Sequence, residues 1–297
     1  MTAVQPFGDW MKAVQLTVEN GLASYLPAVT EVPGRLHDAM RYAALDGGKR
    51  VRPLLVFAAG QLFDADSNAL TRAATAVEMM HAYSLVHDDM PCMDDDALRR
   101  GKATVHVKYD DATALLVGDA LQAQAFLVLA DGEGDAARKL DMIRLLACAA
   151  GSAGMCGGQA IDLASVGLAL SLAKLEQMHR LKTGALLRAS VLLGALSGKA
   201  LTASETIALD AYADAIGLAF QVVDDVLDAT ADSATLGKTA GKDAADNKPT
   251  YVSILGLEQS RNLAEKLRND ARRALVPFGD KARRLRELAD LIVQRKA

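Results

Sequence analysis

The sequence predicts an all-α fold, and three observations carry that expectation. No proline occurs between Pro91 and Pro249, so nothing there interrupts helix after helix. Half of the 297 residues are hydrophobic (51%) while only 4% are aromatic, an Ala- and Leu-rich mixture suited to helix packing. Two aspartate clusters lie far apart in the chain and make sense only if they face each other. The length alone permits two domains, but there is no Pro/Gly/Ser-rich linker. We therefore expect a single domain over residues 1–297 with a large buried core.

An amphipathic helix is expected from Phe7 to about Leu26, closed by Pro27 and Pro33. The next starts near Pro33, whose fixed φ suits a first turn, and runs to Leu45. Gly47 and Gly48 break it, the cations Lys49, Arg50 and Arg52 follow, and Pro53 opens a third helix. Two glycines followed by three cations let a backbone approach a phosphate while its charge is neutralised. Asp64 to Asn68 reads as a turn. From about Leu70 a helix carries Ala73, Val77, Met80, Ser84 and His87 along one side.

That helix leads into HAYSLVHDDMPCMDDDALRR, His81 to Arg100. Asp88, Asp89, Asp94, Asp95 and Asp96 repel one another unless a cation lies among them. Apolar Leu85, Val86, Met90 and Met93 interleave them, so a solvated tail does not fit. A hard cation such as Mg²⁺, held by one or two carboxylates and a substrate's phosphates, is the simplest answer. Pro91 interrupts the helix. Asp88 and Asp89 then form its last turn, and the chain folds back to bring Asp94 near; were the helix to run on, Asp95 would take that place.

Ala114 to Leu129 is the next helix, ended by the turn Asp131-Gly132-Glu133-Gly134-Asp135. One helix is expected over Lys139 to Asp162. Its Gly151, Gly154, Gly157 and Gly158 cost stability unless a neighbour lies close, and Gln159 and Asp162 sit near that face. From Leu172 to Gly194 another helix contains Leu181-Lys182-Thr183-Gly184, a sequence that can loosen a turn. Thr202 and Glu205 make a capping box for the helix that ends in FQVVDDVLD. There Asp224 and Asp228, at i and i+4, share a face and can grip one ion, and Gln221 lies on the same side three residues before Asp224. Residues 229–248, with Lys238, Lys242 and Lys248, read as a long loop of the kind that forms lids. Helices near Ala264 to Leu275 and Lys281 to Val293 finish the chain.

The net charge of −4 supplies no basic footprint for nucleic acid. Cys92, Cys148 and Cys156 form no CxxC pair and read as reduced thiols of a cytoplasmic protein. The N-terminus has no basic region before an apolar core and no apolar run approaches 18 residues, so neither a signal peptide nor a membrane span is expected.

GGKRVRP, HDDMPCMDDDALRRG, LKTG and FQVVDDVLD, in that order, resemble the short-chain trans-isoprenyl diphosphate synthases, the bacterial farnesyl branch most closely. The resemblance runs from Leu45 to Leu257. It implies a single-domain isoprenoid-synthase helical bundle around a central active-site cavity, Mg²⁺ on Asp88, Asp89, Asp94, Asp224, Asp225 and Asp228, and a homodimer. It implies that Lys49, Arg52, His81 and Arg100 bind isopentenyl diphosphate. Arg99, Lys182, Thr183, Gln221 and Lys238 would bind dimethylallyl or geranyl diphosphate and meet the leaving group or the allylic cation. Lys102-Ala103-Thr104 replaces the usual Lys-Pro-Thr, and Asp110-Asp111 stands where glycine is common.

Tyr83 lies five residues before Asp88, about 7.5 Å along the helix, where a growing tail would arrive, which favours a farnesyl product. A geranylgeranyl synthase is the nearest rival. A terpene cyclase would not need the second diphosphate site of Lys49, Arg52 and Arg100, and a non-catalytic regulatory subunit would be expected to have lost aspartates or cations that are all present.

Overall fold

The computed structural model describes residues 5–168, 170–230 and 249–295. Their helices are α1 Phe7–Tyr25, α2 Gly34–Ala44, α3 Val51–Gly60, α4 Ser67–Asp88, α5 Val105–Lys108, α6 Asp111–Ala130, α7 Ala136–Ala150, α8 Met155–Ala164, α9 Leu172–His179, α10 Ala185–Gly198, α11 Ala203–Thr230, α12 Tyr251–Leu255, α13 Leu257–Ala274 and α14 Arg283–Gln294. The fold is all-α, as expected. Among the described residues the only sheet is a hairpin of β1 (Leu98–Arg99) and β2 (Lys102–Ala103), with Leu98 opposite Ala103.

The bundle is built around α4. Asp66 caps it, its side chain accepting from the amides of Asn68 (2.8 Å) and Ala69 (3.2 Å), which satisfies two donors a helix start leaves open. Every residue from Ala73 to Met80 is buried, so α4 is covered on all sides; α1, α2, α3, α6 and α10 pack against it. A separate apolar cluster of Leu175, Met178, Leu218, Val222, Val223, Tyr251 and Ala264 joins α9, α11, α12 and α13. The Asp-containing end of α11 rests on it.

Several boundaries differ from the sequence expectation. The helix expected over 139–162 is two helices, α7 and α8, parted at Gly151–Gly154, because four glycines in eight positions leave that turn little reason to stay helical. The last two helices are Leu257–Ala274 and Arg283–Gln294, the first of them two turns longer at its start than expected. The hairpin and α5 had no counterpart in the reading of apolar periodicity, being too short to show one. Thr202 does cap α11: Glu205 N donates to its Oγ1 (3.3 Å) and Thr202 N to Glu205 Oε2 (2.8 Å).

The expectation that no stretch has the length and apolarity of a membrane span is corrected. Residues 111–130, 136–164 and 203–230 reach it by length and composition. In this bundle α6 packs against α4 and α11 against α13, and the second stretch is the broken pair α7 and α8.

Arg50 holds the chain where α2 passes into α3. Its φ of 51° is a left-handed conformation unfavourable for a residue with a Cβ. The side chain over-determines it: Nη1 donates to Glu78 Oε1 (2.6 Å), and Nη2 to Glu19 Oε2 (2.8 Å) and to the Ala44 carbonyl (2.8 Å). Arg50 and Glu78 are buried, so removing one partner strands the other's charge. Glu78→Ala is expected to lower unfolding stability by about 3–5 kcal/mol, measured by urea denaturation. A loss under about 1 kcal/mol, the scale of an exposed pair, would show that water replaces the carboxylate.

Candidate active site

A cavity of about 560 Å³ opens between α4, α8, the α9–α10 junction and α11. Its wall includes the charged Asp88, Arg99, Lys182 and Asp224 and apolar or neutral groups such as Tyr83, Leu85, Met155, Ala160 and Phe220. A second pocket of about 380 Å³, lined by Lys49, Arg50, Arg52, Arg100, Glu78 and Arg295, shares Arg52, His81, Arg100 and Phe220 with the first. The two aspartate motifs, well separated in the chain, thus meet at one cavity through Asp88 and Asp224.

The first motif is a reversal. After α4 ends, Met93 N bonds to the Met90 carbonyl (2.8 Å) and Asp94 N to the Asp88 carbonyl (2.9 Å), folding Asp94 back onto Asp88 as the proline at 91 suggests. Asp95 takes a left-handed φ of 50° and is exposed, so of the two alternatives Asp94 is the one beside Asp88. The Asp88 carboxyl is pushed up to about 6, by burial first and by the Asp94 charge, against the opposing pull of Lys182 and Arg99. A carboxylate in that position gains from any added cation.

Asp89, expected to face an ion, is paired in this structure with Arg99. It is buried, is not part of the cavity wall, and accepts a fork of hydrogen bonds from Arg99: Nε at 2.8 Å to both oxygens and Nη2 at 2.5 Å. Such a bidentate pair fixes the arginine's plane, and Arg99 does line the cavity. Asp225 is similarly engaged, its Oδ2 accepting the Tyr251 amide at 2.7 Å and so anchoring α12. Asp228 is buried one turn further on.

Between α9 and α10, residues Arg180–Gly184 form a π-helical turn, the loosening that Lys182-Thr183-Gly184 suggested. Gly158 on α8 lets the two segments touch: a Cβ there would lie 2.1 Å from the Lys182 amide nitrogen. At this junction Lys182 Nζ donates to Asp162 Oδ2 (2.5 Å), and Thr183 Oγ1 donates to Gln221 Oε1 (2.8 Å). With its proton directed to Gln221, the Thr183 hydroxyl keeps its lone pairs for the cavity it lines.

In the second pocket Gly48, with φ of +85°, lies against Arg100, whose guanidinium would be 2.6 Å from a Cβ at that position. The glycine pair therefore makes room for an arginine. Arg50, grouped with Lys49 and Arg52 in the sequence, belongs to the Glu78 anchor instead. His81 is held well below its ordinary range by burial and by Arg52, Arg100, Arg99 and Arg50, so it stays neutral at pH 7 and can accept as well as donate.

Sequence reading missed Arg295. Its Nη2 donates to Asp224 Oδ1 (2.6 Å) and the Phe220 carbonyl (2.8 Å), with the guanidinium 3.9 Å over the Phe220 ring. Nothing in the spacing of a C-terminal arginine foretells this. Lys238, Lys242 and Lys248, like the loop expected over most of 229–248, lie outside the described residues. No three His, Cys, Asp or Glu side chains among the described residues form a ready-made metal cage.

Residues 33–276 match the polyprenyl synthetase family model. The chain is 51% identical over 264 residues to the farnesyl diphosphate synthase of Escherichia coli, covering 87% of this chain and 88% of that one. Among solved structures it is similar to an FPP/GFPP synthase from Zymomonas mobilis, with a TM-score of 0.87, 43% identity and coverage of 97% and 98%. It is also similar to a geranyltransferase of Helicobacter pylori complexed with magnesium and isoprenyl diphosphate, with a TM-score of 0.84, 31% identity and coverage of 98% of each chain.

Beside the π-helical turn, His179 is buried, stacks on Tyr251 with ring centroids 5.6 Å apart, and has no partner at either ring nitrogen. Burial depresses it to about 4. Between that value and the unfolded 6.5 the unfolded chain binds more protons, so this residue's contribution to stability falls as pH falls through the window. Between pH 7 and pH 5 the metal-free protein is expected to lose about 2 kcal/mol more than a His179→Phe variant, measured by urea unfolding at both pH values. Equal losses would mean that His179 is protonated in the folded state.

Proposed function

The chain belongs to the polyprenyl synthetase family, and on that premise we propose that it is a farnesyl diphosphate synthase, a transferase. It joins isopentenyl diphosphate to dimethylallyl diphosphate and then to geranyl diphosphate, releasing pyrophosphate each time. The observation that carries this reading is the pair of adjoining pockets that share Arg52, His81, Arg100 and Phe220. One sets carboxylates and cations beside apolar groups, the other is rimmed by cations. A reaction between two diphosphates, one of which must lose its head group, calls for that arrangement. The family match and the 51% identity to the E. coli enzyme support it.

In the proposed reaction the allylic carbon–oxygen bond breaks, the alkene of isopentenyl diphosphate attacks the cation, and a proton leaves to form the new double bond. Lys49, Arg52, His81 and Arg100 hold the isopentenyl diphosphate. Arg99 and Lys182, with Lys238 from outside the described residues, meet the allylic diphosphate. Asp88, Asp94, Asp224 and Asp228 would hold Mg²⁺, which supplies positive charge to the departing pyrophosphate. The oxygens of Thr183 and Gln221 face positive charge at the allylic carbon, and the apolar wall excludes water that would quench it. The proton passes to the released pyrophosphate.

Tyr83, buried in the cavity wall, limits the product to fifteen carbons. The whole chain acts as one domain, in the cytoplasm, where its free thiols remain reduced. It acts as a homodimer, to which the exposed Leu115, Leu116 and Leu127 of α6 offer apolar surface.

Incubation with Mg²⁺, isopentenyl diphosphate and geranyl diphosphate is expected to yield farnesyl diphosphate, identified by chromatography after dephosphorylation. Chelation with EDTA stops turnover, and Asp88→Asn lowers kcat by roughly 10²-fold or more. Absence of any prenyl product would sink the reading. Tyr83→Ala is expected to shift products to twenty carbons or longer; unchanged products would remove Tyr83 as the limit.

A further inference from the structure

The wall of the cavity holds a thiol that the proposed chemistry leaves unused. Cys156, near the start of α8, lines the cavity together with Tyr83. Its Sγ lies 3.3 Å from the Tyr83 hydroxyl on α4, a hydrogen-bonding distance for sulfur. Burial pushes the phenol well above its ordinary range, so Tyr83 keeps its proton and stays available to bond.

The rest of the ring is constrained from α6. His87, one turn beyond Tyr83, meets it edge-on with centroids 5.7 Å apart at 85°, and the His87 Nε2 is 3.0 Å from the Leu115 carbonyl. This approach depends on Gly118, where a Cβ would lie 1.9 Å from that nitrogen. The tyrosine is therefore gripped at its edge by a histidine braced on α6 and at its tip by a thiol from α8 together with Gln122 of α6.

We infer that Cys156 is a positioning residue for product length: its thiol fixes the Tyr83 phenol across the tail path, so the limit is a two-helix clasp. The inference rests on the prenyl-transfer reading and deepens it. Tyrosine loses little freedom when its tip is held, because only two torsions remain to fix. An unheld phenol can swing off the path and admit a longer tail. The same position also projects into the cavity, so the volume of residue 156 acts directly on the space left for the chain.

The test compares product lengths from isopentenyl and geranyl diphosphates for the unmodified chain and for Cys156→Ala, Cys156→Ser, Cys156→Phe and Tyr83→Phe, each checked for folding by thermal melting. Cys156→Ala and Tyr83→Phe are expected to raise the proportion of twenty-carbon product about tenfold, the scale on which a small change in an apolar pocket acts. Cys156→Ser, whose hydroxyl can bond the phenol, restores the fifteen-carbon product, a rescue that a merely structural role would not give. Cys156→Phe fills the chamber and depresses turnover of geranyl diphosphate relative to dimethylallyl diphosphate. If the unmodified chain makes farnesyl diphosphate and folded Cys156→Ala and Tyr83→Phe make the same product in the same proportion, the clasp is refuted while the transferase stands. If the unmodified chain makes no prenyl product, both readings fall together.

Discussion

Carboxylates brought together at a single cavity repel one another, and the organisation of this chain follows from how that repulsion is restrained. Asp89 on α4 is gripped by Arg99 of the hairpin, Asp162 on α8 by Lys182 of the π-helical turn, and Asp224 on α11 by Arg295 beyond α14. Each pair ties one element to another that is not its neighbour in a helix. Partly buried pairs of this kind add little net stability, since desolvation offsets most of the attraction. Their value here is directional: each sets where a cation points, Arg99 and Lys182 on the wall of the first cavity and Arg295 on that of the second. Asp88, with Asp94 folded beside it, is left with a carboxyl raised by burial, and a carboxylate in that condition favours an incoming cation.

The same economy of contact explains the local irregularities. The π-helical turn at Arg180–Gly184 departs from the regular helix where Lys182 and Thr183 must both reach the cavity. α8 can press against it only because residue 158 has no side chain. The left-handed Arg50 persists because three hydrogen bonds and a buried carboxylate hold it, and that anchor sets the start of α3, from which Arg52 extends into the shared wall. Strain and close approach thus recur at the junctions that aim functional side chains.

Burial also sets the protonation states. His81 and His179 are both kept neutral by removal from water, reinforced for His81 by four arginines. A neutral imidazole among guanidinium groups adds a hydrogen-bonding group without adding to their mutual repulsion. The cavity wall sets Asp88, Asp224, Arg99 and Lys182 beside apolar Leu85, Met155, Leu163 and Phe220, a combination that suits a reaction whose leaving group is highly charged and whose cation must be shielded from water.

The sequence by itself determined the helical architecture, the break at Pro91, the capping box at Thr202, the weak turn at Lys182-Thr183-Gly184 and the meeting of the two aspartate motifs, while whether Asp94 or Asp95 lies beside Asp88 was left to the tertiary structure. These are legible because proline, glycine, capping residues and clustered like charges act locally, whatever surrounds them. Only the tertiary structure decided that Asp89 serves Arg99, that Arg50 belongs to the core, that Gly48 makes room for Arg100, that α7 and α8 are separate, and that Arg295 and Cys156 reach the site. Each of those depends on a partner distant in the chain or on the course of a glycine-rich stretch, and spacing along one element carries no information about what a neighbouring element places against it.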